Sequence, residues 1–152
     1  MSIMFTELIE NTQRTACCTV QHGLSCWLDT GTARLLIDTG QDAAFLTNAH
    51  CLQVPVTDAE WLVLTHGHYD HAGGVPALLA AGARPTVVVH PWAWVPRQGW
   101  RDGQPPRDIG IPWPASLLAE QAVSCMSSAH PCQLAPGIWS TGTISNYMGV
   151  QP

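Results

Sequence analysis

An α/β fold built on a partly parallel sheet is what this 152-residue sequence predicts, and three observations predict it. Trp61-Leu62-Val63-Leu64 is apolar throughout with no alternation, the pattern of a strand buried on both faces. Thr86-Val87-Val88-Val89-His90 is a second such run, and the apolar stretch Val75–Ala81 lies between the two. Strand, helix and strand at this spacing imply a crossover and parallel pairing. Ahead of them, residues 24–38 read as a β-hairpin turning at Asp29-Thr30-Gly31-Thr32.

The remaining elements follow in order. Residues 3–9 give a first strand, and the polar residues after Glu10 a loop. Residues 42–52 suit a helix, since Phe45, Leu46, Ala49 and Leu52 share one face at helical spacing. Pro55 ends it. Pro76 is tolerated in the first turn of the helix after Gly74, and Gly82 stops that helix. A short helix over 116–121, a strand over 123–126 and a turn and strand over 136–142 complete the expectation.

The length suits one domain over residues 1–152 with a real core. Hydrophobic residues make up 46%, which is a globular rather than a disordered composition. Charged residues are only 11%, too few to cover a normal surface, so extra apolar surface is expected. All six basic residues are arginines, scattered along a chain of net charge −5. Without a basic cluster there is no footing for phosphate neutralisation, which argues against nucleic-acid binding. The start lacks a signal-peptide pattern, and no apolar run approaches the ~20 residues of a membrane span. The expectation is a cytoplasmic protein without a membrane partner. Its six cysteines are expected reduced and mostly buried, a disulfide framework being the minority reading.

The chemistry concentrates in Thr65-His66-Gly67-His68-Tyr69-Asp70-His71-Ala72-Gly73-Gly74. Imidazole nitrogens and carboxylate oxygens are ligands that borderline cations such as zinc accept. In an extended chain His66 and His68 share a face. Asp70 and His71, being adjacent, should diverge, which suits them to a second ion. Surface histidines or a structural metal clip would be the bland reading. Four ligands in this order, between a buried strand and an apolar helix, set it aside. The expected cofactor is a divalent metal, up to two ions, with zinc first and manganese or iron as other options.

Asp38 ends an apolar strand, where an acid is costly unless paired. It either caps the following helix or, as preferred, holds the His66–His71 loop in shape. His90 ends its own strand at the same expected edge of the sheet. It is a candidate pocket residue, with a plain His-Pro turn as the other reading. Residues 91–114 hold six prolines and four tryptophans without periodicity. A segment this long suits a pocket-covering loop, which makes Trp92 and Trp94 candidate pocket residues; core packing of the same rings is the alternative.

His22-Gly23-Leu24-Ser25, Ile37-Asp38-Thr39-Gly40, the segment Leu64–Gly74 and Val89-His90-Pro91 together resemble the metallo-β-lactamase superfamily. Within it they are most similar to the 7,8-dihydropterin-6-methyl-4-(β-D-ribofuranosyl)aminobenzene-5′-phosphate synthase branch. The resemblance implies a four-layer αβ/βα sandwich with the metal site at one edge. It also implies His66, His68, Asp70 and His71 as metal ligands, with Asp70 as the catalytic acidic group. Further histidines of the family pattern have no counterpart here, so the chain resembles the N-terminal half: the first sheet with its helices.

The resemblance implies a metal-dependent hydrolase or transferase that sets a metal-bound hydroxide against a small substrate, pterin- or phosphate-bearing. The alternative is a truncated, catalytically deficient half-domain that binds metal weakly or works with a partner. An uncovered sheet face would then pair with a second copy or a complementing chain.

Overall fold

The computed structural model describes residues 2–144. Ten strands and four helices are present among them: β1 Met4–Ile9, β2 Ser25–Asp29, β3 Arg34–Ile37, α1 Ala44–Cys51, β4 Trp61–Val63, α2 Tyr69–Ala72, α3 Val75–Ala80, β5 Thr86–Val89, β6 Gln98–Gly99, β7 Arg107–Asp108, α4 Ser116–Glu120, β8 Cys125–Ser127, β9 Cys132–Ala135 and β10 Ile138–Ser140. Six form one sheet in the order β1-β2-β3-β4-β5-β8. The pairs β1–β2 and β2–β3 are antiparallel, and β3–β4, β4–β5 and β5–β8 are parallel. The hairpin and the strand–helix–strand unit therefore stand as the sequence predicts.

Alternation along the strands splits the apolar residues between two faces. Trp27, Leu36, Leu62, Val87 and Val89 point to the face covered by α1 and α3, where Phe45, Val75 and Leu78 meet them in the main core. All of these are buried, and full burial of each aliphatic side chain contributes about 1.5–3 kcal/mol. Leu35 and Val88 point the other way, with Leu28, Trp61, Val63 and Met126 half-buried around them. The ribbon β9–β10 covers this second face through Leu134, Ala135 and Ile138. The sequence reading merged this ribbon into one late strand and missed β9.

Because β3, β4, β5 and β8 run parallel, their carboxyl ends share one edge. Ligand sites of open α/β sheets form at that edge. Asp38, Thr65, His90 and Ser128 each follow one of these strands.

One element is added and one expectation is corrected. The helix after Gly74 stands where the sequence placed it, as α3, and the one-turn helix α2 at Tyr69–Ala72 is an additional element that the sequence reading lacked. The backbone N–H groups of Ala72 and Gly73 bond back to the carbonyls of His68 and Tyr69, so the ligand run itself coils. The cysteines are not all free: Cys17 and Cys51 are joined as a disulfide. The buried Asn48 docks the 17–19 loop on α1 and brings the two sulfurs together, a long-range contact that spacing does not encode. Cys26 is buried as expected, but Cys125 is exposed.

Candidate metal centre

Asp38 is the support from which the site is built. It is fully buried and adopts φ +56°, a left-handed conformation that Asp tolerates better than most residues. Its Oδ1 accepts the Thr65 N–H at 2.8 Å, and its Oδ2 accepts the Thr65 hydroxyl at 2.6 Å. The same Oδ2 accepts His71 Nδ1–H at 2.7 Å. A carboxylate with these partners satisfies the cost of its burial and ties the end of β4 to α2.

The network also fixes tautomers. With the Thr65 hydroxyl donating to Asp38, its oxygen accepts His66 Nδ1–H at 3.0 Å. His66 and His71 therefore both keep the Nε2 lone pair outward, the arrangement that carboxylate-supported metal histidines use. The His66 ring lies 4.5 Å from His68 and 4.1 Å from His71, centroid to centroid. Asp70 and His71 do not diverge as an extended chain would require: α2 brings Asp70 Oδ2 to 3.7 Å from His71 Nε2.

Electrostatics divide these imidazoles. Burial lowers the pKa of His66, helped by the neighbouring His71 and His68. Burial, then the Arg97 guanidinium, lowers that of His68. Burial also opposes the charged form of His71, but the hydrogen bond and charge of Asp38 with the charge of Asp70 outweigh it, and its pKa is raised. His66 and His68 are thus held in the neutral form a metal needs.

The donor set fits a divalent metal, since neutral imidazoles and a carboxylate with oriented lone pairs converge on one edge. It fits as pairs. Among the described residues, the only three donor side chains with all ligand atoms within 4.8 Å of one another are Cys17, Cys18 and Cys51, elsewhere in the fold.

Five residues without a role in the sequence reading belong here. His22 Nε2 reaches Asp70 Oδ2 at 3.2 Å. The Leu24 N–H bonds to the Asp70 carbonyl at 3.3 Å. Gly23, at φ +126°, passes so close that a Cβ there would overlap the Asp70 carbonyl oxygen; its place after a histidine was the available signal. Thr65 carries the hydrogen-bond relay just described. Arg97 lines a cleft of about 280 Å³ with His66, Gly67, His90, Trp92 and Thr143. Its Nη2 bonds to the Trp92 carbonyl at 3.1 Å, while its buried Nε has no partner.

His90 lines that cleft, with both ring nitrogens engaged. Nδ1 accepts the Trp92 N–H at 3.1 Å, so Nε2–H donates to Thr143 Oγ1 at 2.9 Å. Trp92 stands at the cleft edge, 69% exposed and edge-on to His90. Trp94 does not line the cleft; it turns away and packs edge-on against Trp113, 5.2 Å between centroids. Residues 91–114 do border the histidine loop. The Tyr69 N–H bonds to the Ile109 carbonyl at 3.1 Å, and Ala93 leaves no room for a side chain at Gly67.

The family model of the metallo-beta-lactamase superfamily matches residues 19–132, which take in Asp38, the histidine loop and the 91–114 segment. The chain belongs to the metallo-beta-lactamase superfamily. Among superfamily relatives, lactamase-like protein vrtG of Penicillium aethiopicum is 40% identical over 80 residues, 49% of this chain and 25% of vrtG. Thioesterase pkgB of Emericella nidulans is 35% identical over 100 residues, 64% of this chain and 29% of pkgB. The fold superposes on Tm1679, a metal-dependent hydrolase of the beta-lactamase superfamily, with TM-score 0.65 and 21% identity. That superposition covers 91% of this chain and 47% of Tm1679. The matched stretches thus span under a third of these curated relatives and under half of the solved chain. No described helix is long and apolar enough to cross a membrane.

Proposed function

We propose that this chain carries the metal-holding part of a metal-dependent hydrolase acting on a small anionic molecule. The Asp38 network carries the reading, because it orients His66 and His71 with their free nitrogens outward before any ion arrives. His66 and His68 would hold one ion, and Asp70 and His71 a second, with Asp70 balancing charge. Zinc is the first choice for imidazole and carboxylate donors, ahead of manganese or iron. The ions, when bound, supply a water activated near neutral pH and polarise the group under attack.

The chain's own residues do the rest. Asp38 and Thr65 keep the imidazoles from rotating, and His22 orients the Asp70 carboxylate from outside. Arg97 has no carboxylate partner among the described residues, unlike Arg14 and Arg34, and its unpaired Nε sits beside the cleft. It suits a carboxylate or phosphate on the substrate. Beyond His90 a second, largely apolar hollow of about 260 Å³ runs past Val88 and Trp139 and suits the substrate's body.

A finer assignment is the dihydropterin-phosphate synthase branch. Its supporting observation is that the four matching segments converge on one edge, with His22 on Asp70, Asp38 on His71, and His90 beside His66.

One observation favours a second reading, a half-domain that binds metal weakly or works only with a partner. No three histidine or aspartate donors of this cluster come within 4.8 Å of one another, and catalytic zinc ordinarily takes three protein ligands. The β9–β10 ribbon leaves Trp61, Val63 and Met126 on the second sheet face only half-buried, and a partner chain or a second copy would then complete their cover.

The test is metal content and turnover together. The purified chain is expected to retain zinc that His68→Ala with Asp70→Ala removes, and to cleave phosphoesters, thioesters or lactones. Metal bound through these residues without turnover, whether stoichiometric or weakly held, selects the half-domain reading. Equal metal in wild type and the double variant overturns both.

A further inference from the structure

Away from the histidine edge, the Sγ atoms of Cys17, Cys18 and Cys51 all lie within 4.8 Å of one another. Three thiolates on one zinc-sized ion, each at about 2.3 Å, stand roughly 3.8–4.0 Å apart, so the cluster can enclose a thiophilic cation once the Cys17–Cys51 bond opens and those two sulfurs part by about 2 Å. The cysteines lie at the far end of α1. This 8-residue helix starts just after Gly40-Gln41-Asp42 and ends at Cys51, which sets the sulfurs about 12 Å along its axis from that start.

The cluster does not depend on the sulfur–sulfur bond for its assembly. Asn48 Oδ1 accepts the Thr19 N–H at 2.8 Å, and its Nδ2 donates to the Thr19 carbonyl at 2.8 Å and the Leu8 carbonyl at 2.7 Å. Asn48 is buried and sits one helical turn before Cys51. A side chain three residues earlier on a helix lies on the same face. The same three hydrogen bonds therefore dock Cys18 beside Cys51 when the disulfide is open. Cys17 is exposed and Cys18 and Cys51 are half-buried, so an ion can enter. Glu7, Glu10 and Arg14 line the adjoining hollow, and Arg14 pairs with Glu10, which leaves Glu7 as the carboxylate there without an arginine partner.

We propose that Cys17, Cys18 and Cys51 form a second metal site, a thiolate site for zinc or another thiophilic divalent ion, opened by reduction of the Cys17–Cys51 bond. Two equivalents of a small-molecule thiol convert that bond to two cysteine thiols and one reductant disulfide. Ion binding then releases the protons of the three thiols to solvent. In the oxidised chain only Cys18 keeps a free sulfur in the cluster, and the site is closed. Neither state involves His66, His68, Asp70 or His71.

The experiment is a cobalt titration of the full chain, anaerobic, with and without prior reduction. Cobalt on sulfur absorbs in the near ultraviolet by charge transfer, whereas cobalt on imidazole and carboxylate does not. The reduced protein is expected to gain that absorption, saturating at a single ion, and the oxidised protein to lack it. His66→Ala with His68→Ala should leave the band intact. Cys18→Ser should abolish it while leaving the disulfide able to form, and Cys17→Ser, at an exposed position, should abolish it independently. A reduced wild type without the band overturns the proposal, as does a band that survives Cys18→Ser.

Discussion

The Asp38 carboxylate and the His71 imidazole meet at 2.7 Å, and 33 residues of chain separate them. The contact joins the end of β3 to α2 and fixes which nitrogen His71 offers outward. Asp38→Asn keeps the shape but replaces an acceptor oxygen by a donor. Leaving His71 or Thr65 unpaired in a buried setting should cost about 1–3 kcal/mol of stability, and metal affinity should fall about 10–100-fold, as for other supporting residues. Denaturant melts and equilibrium dialysis check the two effects. A variant with unchanged metal affinity would remove Asp38 from the site.

Gly67 offers a test of how the tryptophan segment meets the histidine loop. A Cβ there would overlap the Ala93 carbonyl oxygen. Gly67→Ala must push the 91–94 turn outward, and overpacking of this kind costs about 1–3 kcal/mol. The fluorescence of Trp92, which stands against His90, should change with it. Wild-type stability in this variant would show that the two segments are not in contact.

Acid should strip the donor pairs in a set order. An ion needs neutral imidazole, so a histidine with a raised pKa gives up its ion at higher pH than one with a lowered pKa. The pKa of His71 is raised, by Asp38 and Asp70 against burial, and those of His66 and His68 are lowered, chiefly by burial. As pH falls, the Asp70–His71 pair should therefore empty before the His66–His68 pair does. Metal retained after dialysis at successively lower pH should fall in two stages. Loss in a single step, or retention by Asp70–His71 in acid, contradicts the assignment.

Arg97→Gln should weaken an anionic substrate and leave the metal in place. Loss of one charge-assisted pair in a partly desolvated cleft corresponds to about 1.5–3 kcal/mol, a rise in KM or Ki of roughly 10–100-fold. Competition by inorganic phosphate or a simple carboxylate reads this directly. An affinity that Arg97→Gln does not change would assign the anion to another group.

The sequence by itself determined the hairpin, the parallel strand–helix–strand unit and the His66–His71 run. Each rests on local patterning: apolar runs, helical spacing, glycine turns and ligands close together in the chain. It also pointed to Asp38, because an acid at the end of an apolar strand requires a partner. Tertiary structure alone decided what those residues touch. His22 reaches Asp70 across 48 residues, and Asn48 gathers Cys17, Cys18 and Cys51 across the 34 residues that separate the disulfide's cysteines. Arg97 stands over the cleft rather than against a carboxylate, and Trp94 packs on Trp113 while Trp92 remains at the opening. None of these follows from periodicity, since each depends on how a loop without regular repeat docks on the finished sheet. There burial and hydrogen bonding over long separations, not propensity, choose the partner.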